Sequence, residues 1–242
     1  QTYASQNLLG MQGLVRNDIP NPALQWETGE KFNAGVDVSA LNDRLTFTAD
    51  LFHTKTRNML VYENITGGAG FNTIVTNNGA MQNTGLEATL GVRLINRKNL
   101  KWDVSGNIAT VRNMVKHVPG GRFLTEYAGA TLLTQSDRPA GLFYGYVTNG
   151  VFSTSQEAAD AGLKVKNADG SFTSFGAGDI RFVDINEDKV IDENDRCVLG
   201  SSMPEFFGGF STALTYKQFK LEALFTYAGG HEVFNYMRYR RE

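Results

Sequence analysis

Between Asp184 and Asp195 the chain spaces its oxygen-bearing side chains as a hard cation requires. The run Asp184-Ile185-Asn186-Glu187-Asp188-Lys189-Val190-Ile191-Asp192-Glu193-Asn194-Asp195 puts carboxylates or an amide at loop positions 1, 3, 5, 9 and 12. Val190, at position 7, offers a backbone carbonyl. This is the spacing of a twelve-residue calcium loop, in which every second residue of a tight curve points an oxygen inward. The candidate metal ligands are therefore Asp184, Asn186, Asp188, Val190, Asp192 and Asp195, and the expected cofactor is calcium in a structural role. Two residues depart from the EF-hand form of such a loop. Lys189 stands at the sixth position, where a glycine usually takes a positive φ that costs other residues roughly 1–2 kcal/mol. Asp195 is shorter than the Glu that closes an EF-hand. No amphipathic helix flanks the run, so an EF-hand domain is not expected. The alternative to a metal loop is an acidic, solvated turn.

Catalytic chemistry finds no comparable pattern. His53, His117 and His231 are far apart in sequence, and Cys197 has no second cysteine to pair with. Carboxylates are plentiful, so a glycosidase-like pair is easy to imagine, but no motif fixes one. No catalytic residue is assigned. The formal net charge of −2 leaves no basic footprint for nucleic acid. No run approaches the roughly 18 apolar residues of a membrane-spanning helix, and no signal peptide opens the sequence.

The elements that must carry the acidic loop are β-strands. Phe32, Ala34, Val36 and Val38 alternate with Lys31, Asn33, Gly35, Asp37 and Ser39. After the short turn Leu41–Arg44, Leu45, Phe47, Ala49 and Leu51 alternate with Thr46, Thr48, Asp50 and, as an exception on the polar side, Phe52. This is period two, and the pair reads as a hairpin. Leu86–Leu94 and Trp102–Ile108, around the turn Asn96–Asn99, form a second hairpin of the same polarity. Phe207–Tyr216 and Phe219–Tyr227, around Lys217-Gln218, form a third. Residues 1–22 read as polar and irregular, 57–80 as a long loop containing Gly67–Gly70, and 112–205 as a long irregular region. The last holds a short helix near 156–162 and the acidic loop.

Three features of these strands belong together. They run to about 9–12 residues, longer than the usual 5–6; at about 3.3 Å per residue and a steep tilt they cross an apolar band about 25 Å tall. Short turns alternate with very long ones. Each strand has one apolar and one polar face, with aromatic residues near its ends, as at a membrane interface.

Specific stretches sharpen this. Asn21-Pro22-Ala23-Leu24-Gln25-Trp26-Glu27 resembles the Asn-Pro-x-Leu-Lys-Trp-Glu signature of the SusC/RagA-type TonB-dependent outer-membrane transporters of Bacteroidota. Asn78–Glu87, with Asn83, Gly85 and Glu87, resembles their Asn-x-Gly-x-x-x-Asn-x-Gly-hydrophobic-Glu strand start. Gly145-Tyr146 with Gly150-Val151-Phe152, the run Gly178–Asn186, and Gly200, Pro204, Phe206–Gly209, Gly229-Gly230 and Asn235 follow in the family's order. The likeness extends over roughly residues 21–240.

The resemblance implies an all-β fold. Residues 1–242 would be part of one large antiparallel transmembrane β-barrel, 22-stranded in such transporters, with long extracellular loops. Region 112–205 would be an extracellular loop stabilised by calcium at 184–195. It further implies active import of a large nutrient, an oligosaccharide or oligopeptide, across the bacterial outer membrane. A SusD-like surface lipoprotein would be the partner, and energy would come from the TonB complex acting through a plug domain not visible in this sequence. These residues would then be a piece of a longer polypeptide, facing outer-membrane lipid on one side. Phe143, Tyr144 and Tyr146 are candidate substrate contacts, able to stack on sugar faces; the alternative is that they pack the loop's own small core. A soluble, calcium-stabilised β module that binds polysaccharide is the competing reading of the chain.

Overall fold

The computed structural model describes residues 3–8, 11–16, 19–65 and 73–240. Among them, β1 (Tyr3–Leu8) and β2 (Met11–Arg16) form an antiparallel hairpin. The expected irregular opening is thus corrected. Its short polar strands lack the apolar alternation that marks a half-buried strand, yet their backbones pair in full register. Next come β3 (Thr28–Ala40), β4 (Leu45–Asn64), β5 (Thr73–Arg97) and β6 (Leu100–His117). With β16 (Phe206–Tyr216) and β17 (Phe219–Gly229) they form a six-stranded antiparallel sheet in the order β17-β16-β6-β5-β4-β3.

Cross-strand register sorts this sheet's side chains into two faces. Val36 pairs with Ala49, Ala49 with Ala88, Ala88 with Ile108 and Ile108 with Gly208, so one face stays apolar from strand to strand. The neighbouring rows Val38–Phe47–Leu90 and Phe210–Phe225 continue it. This face is open: Phe32 is 66% and Leu221 69% exposed. Removing a side chain of that size from water is worth about 1.5–3 kcal/mol, so a stripe across six strands needs an apolar covering. The opposite face carries Asp37, Thr48, Thr89 and Asn107 in one row and Arg93 paired to Asp103 in another.

Short and long connections fall at opposite ends of the sheet. β3–β4, β5–β6 and β16–β17 are joined by 41–44, 98–99 and 217–218. In the first turn Leu41, Asn42 and Asp43 all have positive φ, and the Ser39 hydroxyl is hydrogen-bonded to the Asp43 carboxylate. At the other end β4 and β5 extend far past the apolar rows. The expected loop over 57–80 is therefore mostly strand: β4 reaches Asn64 and β5 begins at Thr73, with register shifts around Asn58, which has a positive φ. Gly67–Gly70 lie outside the described residues. Beyond the apolar band polar and apolar residues no longer sort by face, as in the run Met59–Tyr62, so alternation vanishes although strand pairing continues.

The Asn-Pro segment is strapped to this end. Asn77 accepts the Gln25 amide and donates to the Gln25 and Asn58 carbonyls, Asn21 donates to the Val75 carbonyl, and Glu27 accepts the Leu60 amide. Trp26, between two tethered residues, is 93% exposed.

Close strand packing depends on particular glycines. A Cβ on Gly208 would lie 2.1 Å from the Asn107 carbonyl oxygen and 2.7 Å from the Tyr227 hydroxyl, which itself donates to that carbonyl. Gly208→Ala is expected to cost about 1–3 kcal/mol, read as a lower temperature of heat-induced unfolding in detergent.

The rest of the chain forms a separate compact unit from Leu124–Leu133, Gly141–Ser202 and Glu232–Glu242. Where the sequence suggested irregular structure from 112 to 205, β6 instead continues to His117 and a series of short strands follows. These are β7 (Arg122–Tyr127), β8 (Ala130–Gln135), β9 (Leu142–Tyr146), β10 (Thr148–Val151), β11 (Lys164–Lys166), β12 (Phe172–Ser174), β13 (Ile180–Phe182), β14 (Val190–Ile191) and β15 (Arg196–Ser201). They form a sheet β15-β9-β8-β7 and smaller ones. Strands of two to six residues are too short to show a period. The expected short helix is α1 (Ser155–Ala161), capped by the Thr154 side chain and ended by Gly162 in the left-handed region. A turn, α2 (Tyr236–Tyr239), closes the described chain.

Candidate functional site

The acidic loop lies between β13 and β15, with β14 inside it paired in parallel to β11. Asp184 Oδ2 accepts the Lys189 amide at 2.7 Å, Asn186 the Asp188 amide, Asp188 the Val190 amide at 2.7 Å, and Asp192 the Asn194 amide. Asp195 is 0% exposed, and its two oxygens accept the Ile185 and Asp192 amides at 2.8 and 2.9 Å. The loop is therefore closed end to end by side chain–backbone hydrogen bonds, with Asp195 as its latch. Lys189 has φ 65°, so the sixth position does take the left-handed turn despite its side chain. The aliphatic end and ammonium of Lys189 lie beside Gly162, where α1 ends, a favourable place for a cation.

The donor chemistry of this loop suits a hard cation. One atom, Asp184 Oδ1, is buried with no hydrogen-bond partner. Among the described residues no group of three or more His, Cys, Asp or Glu side chains is arranged to hold a metal ion.

The three aromatic candidates separate. Tyr146 packs edge-on to Phe182 at 5.6 Å, and Phe182, Phe175 and Phe152 continue the cluster, with Phe152 1% exposed. Tyr146 is thus half-buried against the aromatic cluster of its unit. Burial pushes its hydroxyl pKa up, opposed by the nearby Arg196 guanidinium. Phe143 and Tyr144 line a cavity of about 370 Å³ with Arg196, Leu199, Glu232 and Phe234. Arg196 was not evident from the sequence. Pairing of β15 with β9 sets it opposite Tyr146 and places its guanidinium 6.0 Å from the Tyr144 ring centre and 5.4 Å from that of Tyr146. No spacing in the sequence links positions 144 and 196; only strand register does.

An unlayered sheet with one continuous apolar face, short turns at one end and long connections at the other is the wall of a membrane β-barrel. No described helix is long and apolar enough to cross a membrane, and strands do the crossing instead. Residues 1–229 match the family model described as TonB dependent receptor-like, beta-barrel. The chain belongs to this family and is a SusC/RagA-type segment of an outer-membrane β-barrel. TonB-dependent receptor P3 of Formosa agariphila is 27% identical over 93% of this chain and 23% of its own length. TonB-dependent receptor SusC of Bacteroides thetaiotaomicron is 27% identical over 82% of this chain and 19% of its own. The chain thus spans about a quarter or less of these relatives. The RagAB peptide transporter structure superposes with a TM-score of 0.71 at 22% identity, over 95% of this chain and 24% of that one. The family is one of receptors, not of enzymes.

Proposed function

We propose that this chain is part of the barrel wall and the external recognition region of a TonB-dependent importer of a large nutrient, an oligosaccharide or oligopeptide. The carrying observation is the apolar face kept in register across β3, β4, β5, β6, β16 and β17. A soluble polysaccharide-binding module would leave that face in water, which argues against the competing reading. The polar face then lines the lumen, and the long connections face outward. A SusD-like lipoprotein is the expected partner at that end, with energy supplied by the TonB complex through a plug domain elsewhere in the polypeptide. Phe143 and Tyr144, with Arg196 on the neighbouring strand β15, are the proposed substrate contacts in the outer region.

The acidic loop acts as a clip for that region, holding calcium through Asp184, Asn186, Asp188, the Val190 carbonyl, Asp192 and Asp195. The buried, unpartnered Asp184 Oδ1 and the turned backbone at Lys189 support this reading. Ion binding draws the Asp188 and Asp192 oxygens away from their amides. Chelator is expected to speed proteolysis within 112–205 severalfold, and Asp184→Ala and Asp188→Ala to reproduce that rate without chelator. Equal proteolysis with and without chelator would contradict the metal.

The full-length protein, purified from outer membranes in mild detergent, tests the transport reading through its companions. A stoichiometric lipoprotein and a bound oligosaccharide or peptide, found by mass spectrometry, are expected. A receptor isolated alone, and unable to support TonB-dependent growth on any oligosaccharide or peptide, would contradict it.

A further inference from the structure

On the polar face of the sheet two aromatic side chains, Phe52 and Phe207, break the polar pattern. Phe52 lies in the row Asn33–Phe52–Gly85–Val111, and the next row toward the short turns is Gly35–Asp50–Glu87–Ala109. A Cβ on Gly85 would meet the Phe52 ring at 2.4 Å, so the ring rests against the bare Gly85 backbone. Asp50 and Glu87 are direct cross-strand partners. Like charges so placed repel, and among the described residues neither joins an ion pair. The Asp50 carboxylate rests over the bare Gly35 backbone, and on the far side of Glu87 the row continues through Ala109 to Phe207, which bring no charge. Asn33, Asp50, Phe52, Glu87 and Val111, with Lys31, line a cavity of about 620 Å³.

We infer that this is a lumenal subsite for a basic side chain, Lys or Arg, of a peptide ligand. The two rows are two residues apart along the strands, about 6.6 Å, close to the reach of a lysine stem. The stem lies along Phe52 and Val111 while the cation sits between Asp50 and Glu87, relieving their repulsion and lying near the ring face. Lys31, two rows from the carboxylates at the edge strand, lines the same cavity but makes no ion pair with either of them. The inference rests on the polar face being the lumen and narrows the cargo to basic peptides.

Binding of trilysine to the full-length protein in detergent tests it, with trialanine as the uncharged control. Asp50→Asn with Glu87→Gln is expected to weaken trilysine binding at least tenfold and to leave trialanine unchanged. Phe52→Leu is expected to weaken it severalfold. The shift in gel mobility on boiling confirms that each variant is folded. Equal trilysine binding by the wild type and the folded double variant overturns the proposal, as does a wild type that binds no trilysine while still supporting TonB-dependent growth. In that second case the transport reading stands and the subsite falls.

Discussion

Leu90→Arg is expected to prevent assembly of the barrel, while Thr89→Arg, one residue away, leaves it intact. Leu90 is on the apolar face, paired with Phe47 and Gly106, and Thr89 on the polar face, paired with Thr48 and Asn107. Arg on the lipid side of a barrel near the bilayer midplane costs about 2–4 kcal/mol, whereas lumenal substitutions mainly tune selectivity. In the full-length protein the Leu90 variant should be nearly absent from the outer membrane, and the Thr89 variant should reach it at wild-type levels. A soluble module would reverse the expectation or show no contrast, since neither face would meet lipid. Immunoblotting of outer-membrane fractions reads the difference.

The second large effect is expected at Asp195. Its carboxylate is fully buried and accepts two amides that close the acidic loop. Asp195→Ala leaves both donors without their partner in a buried setting, each costing about 1–3 kcal/mol. Loop 184–195 should open and become a preferred site of limited proteolysis, with or without calcium. Asp195→Asn keeps one acceptor oxygen and should be intermediate. If Asp195→Ala is as protease-resistant as wild type, the latch assignment is wrong.

The membrane-crossing strands were legible because lipid and lumen impose opposite demands on alternate residues. Phe32, Val36 and Val38, or Leu86, Ala88 and Leu90, announce a face wherever a bilayer fixes it. Beyond that band the constraint lapses: Met59–Tyr62 and Thr73–Ala80 continue β4 and β5 with both faces polar or mixed, and sequence alternation gives no sign of them. The second unit hides its strands for a related reason. β11 and β14 are three and two residues long, and their partners are set by the loop's own hydrogen bonds. The acidic loop itself was visible, since turn chemistry is local. What its spacing left open was use: the same Asp and Asn oxygens that suit a cation also cap the loop's amides. Phe52 was visible as an exception, but its meaning required the register that sets it beside Gly85, Asp50 and Glu87.

Electrophoresis tests most directly whether these strands cross a membrane within a larger barrel. The native protein, extracted from the outer-membrane fraction in mild detergent, should run compact and folded unboiled. On boiling it should shift, at an apparent mass far above the 26.6 kDa of this chain. A water-soluble species of 26.6 kDa whose mobility is the same before and after boiling would contradict the account.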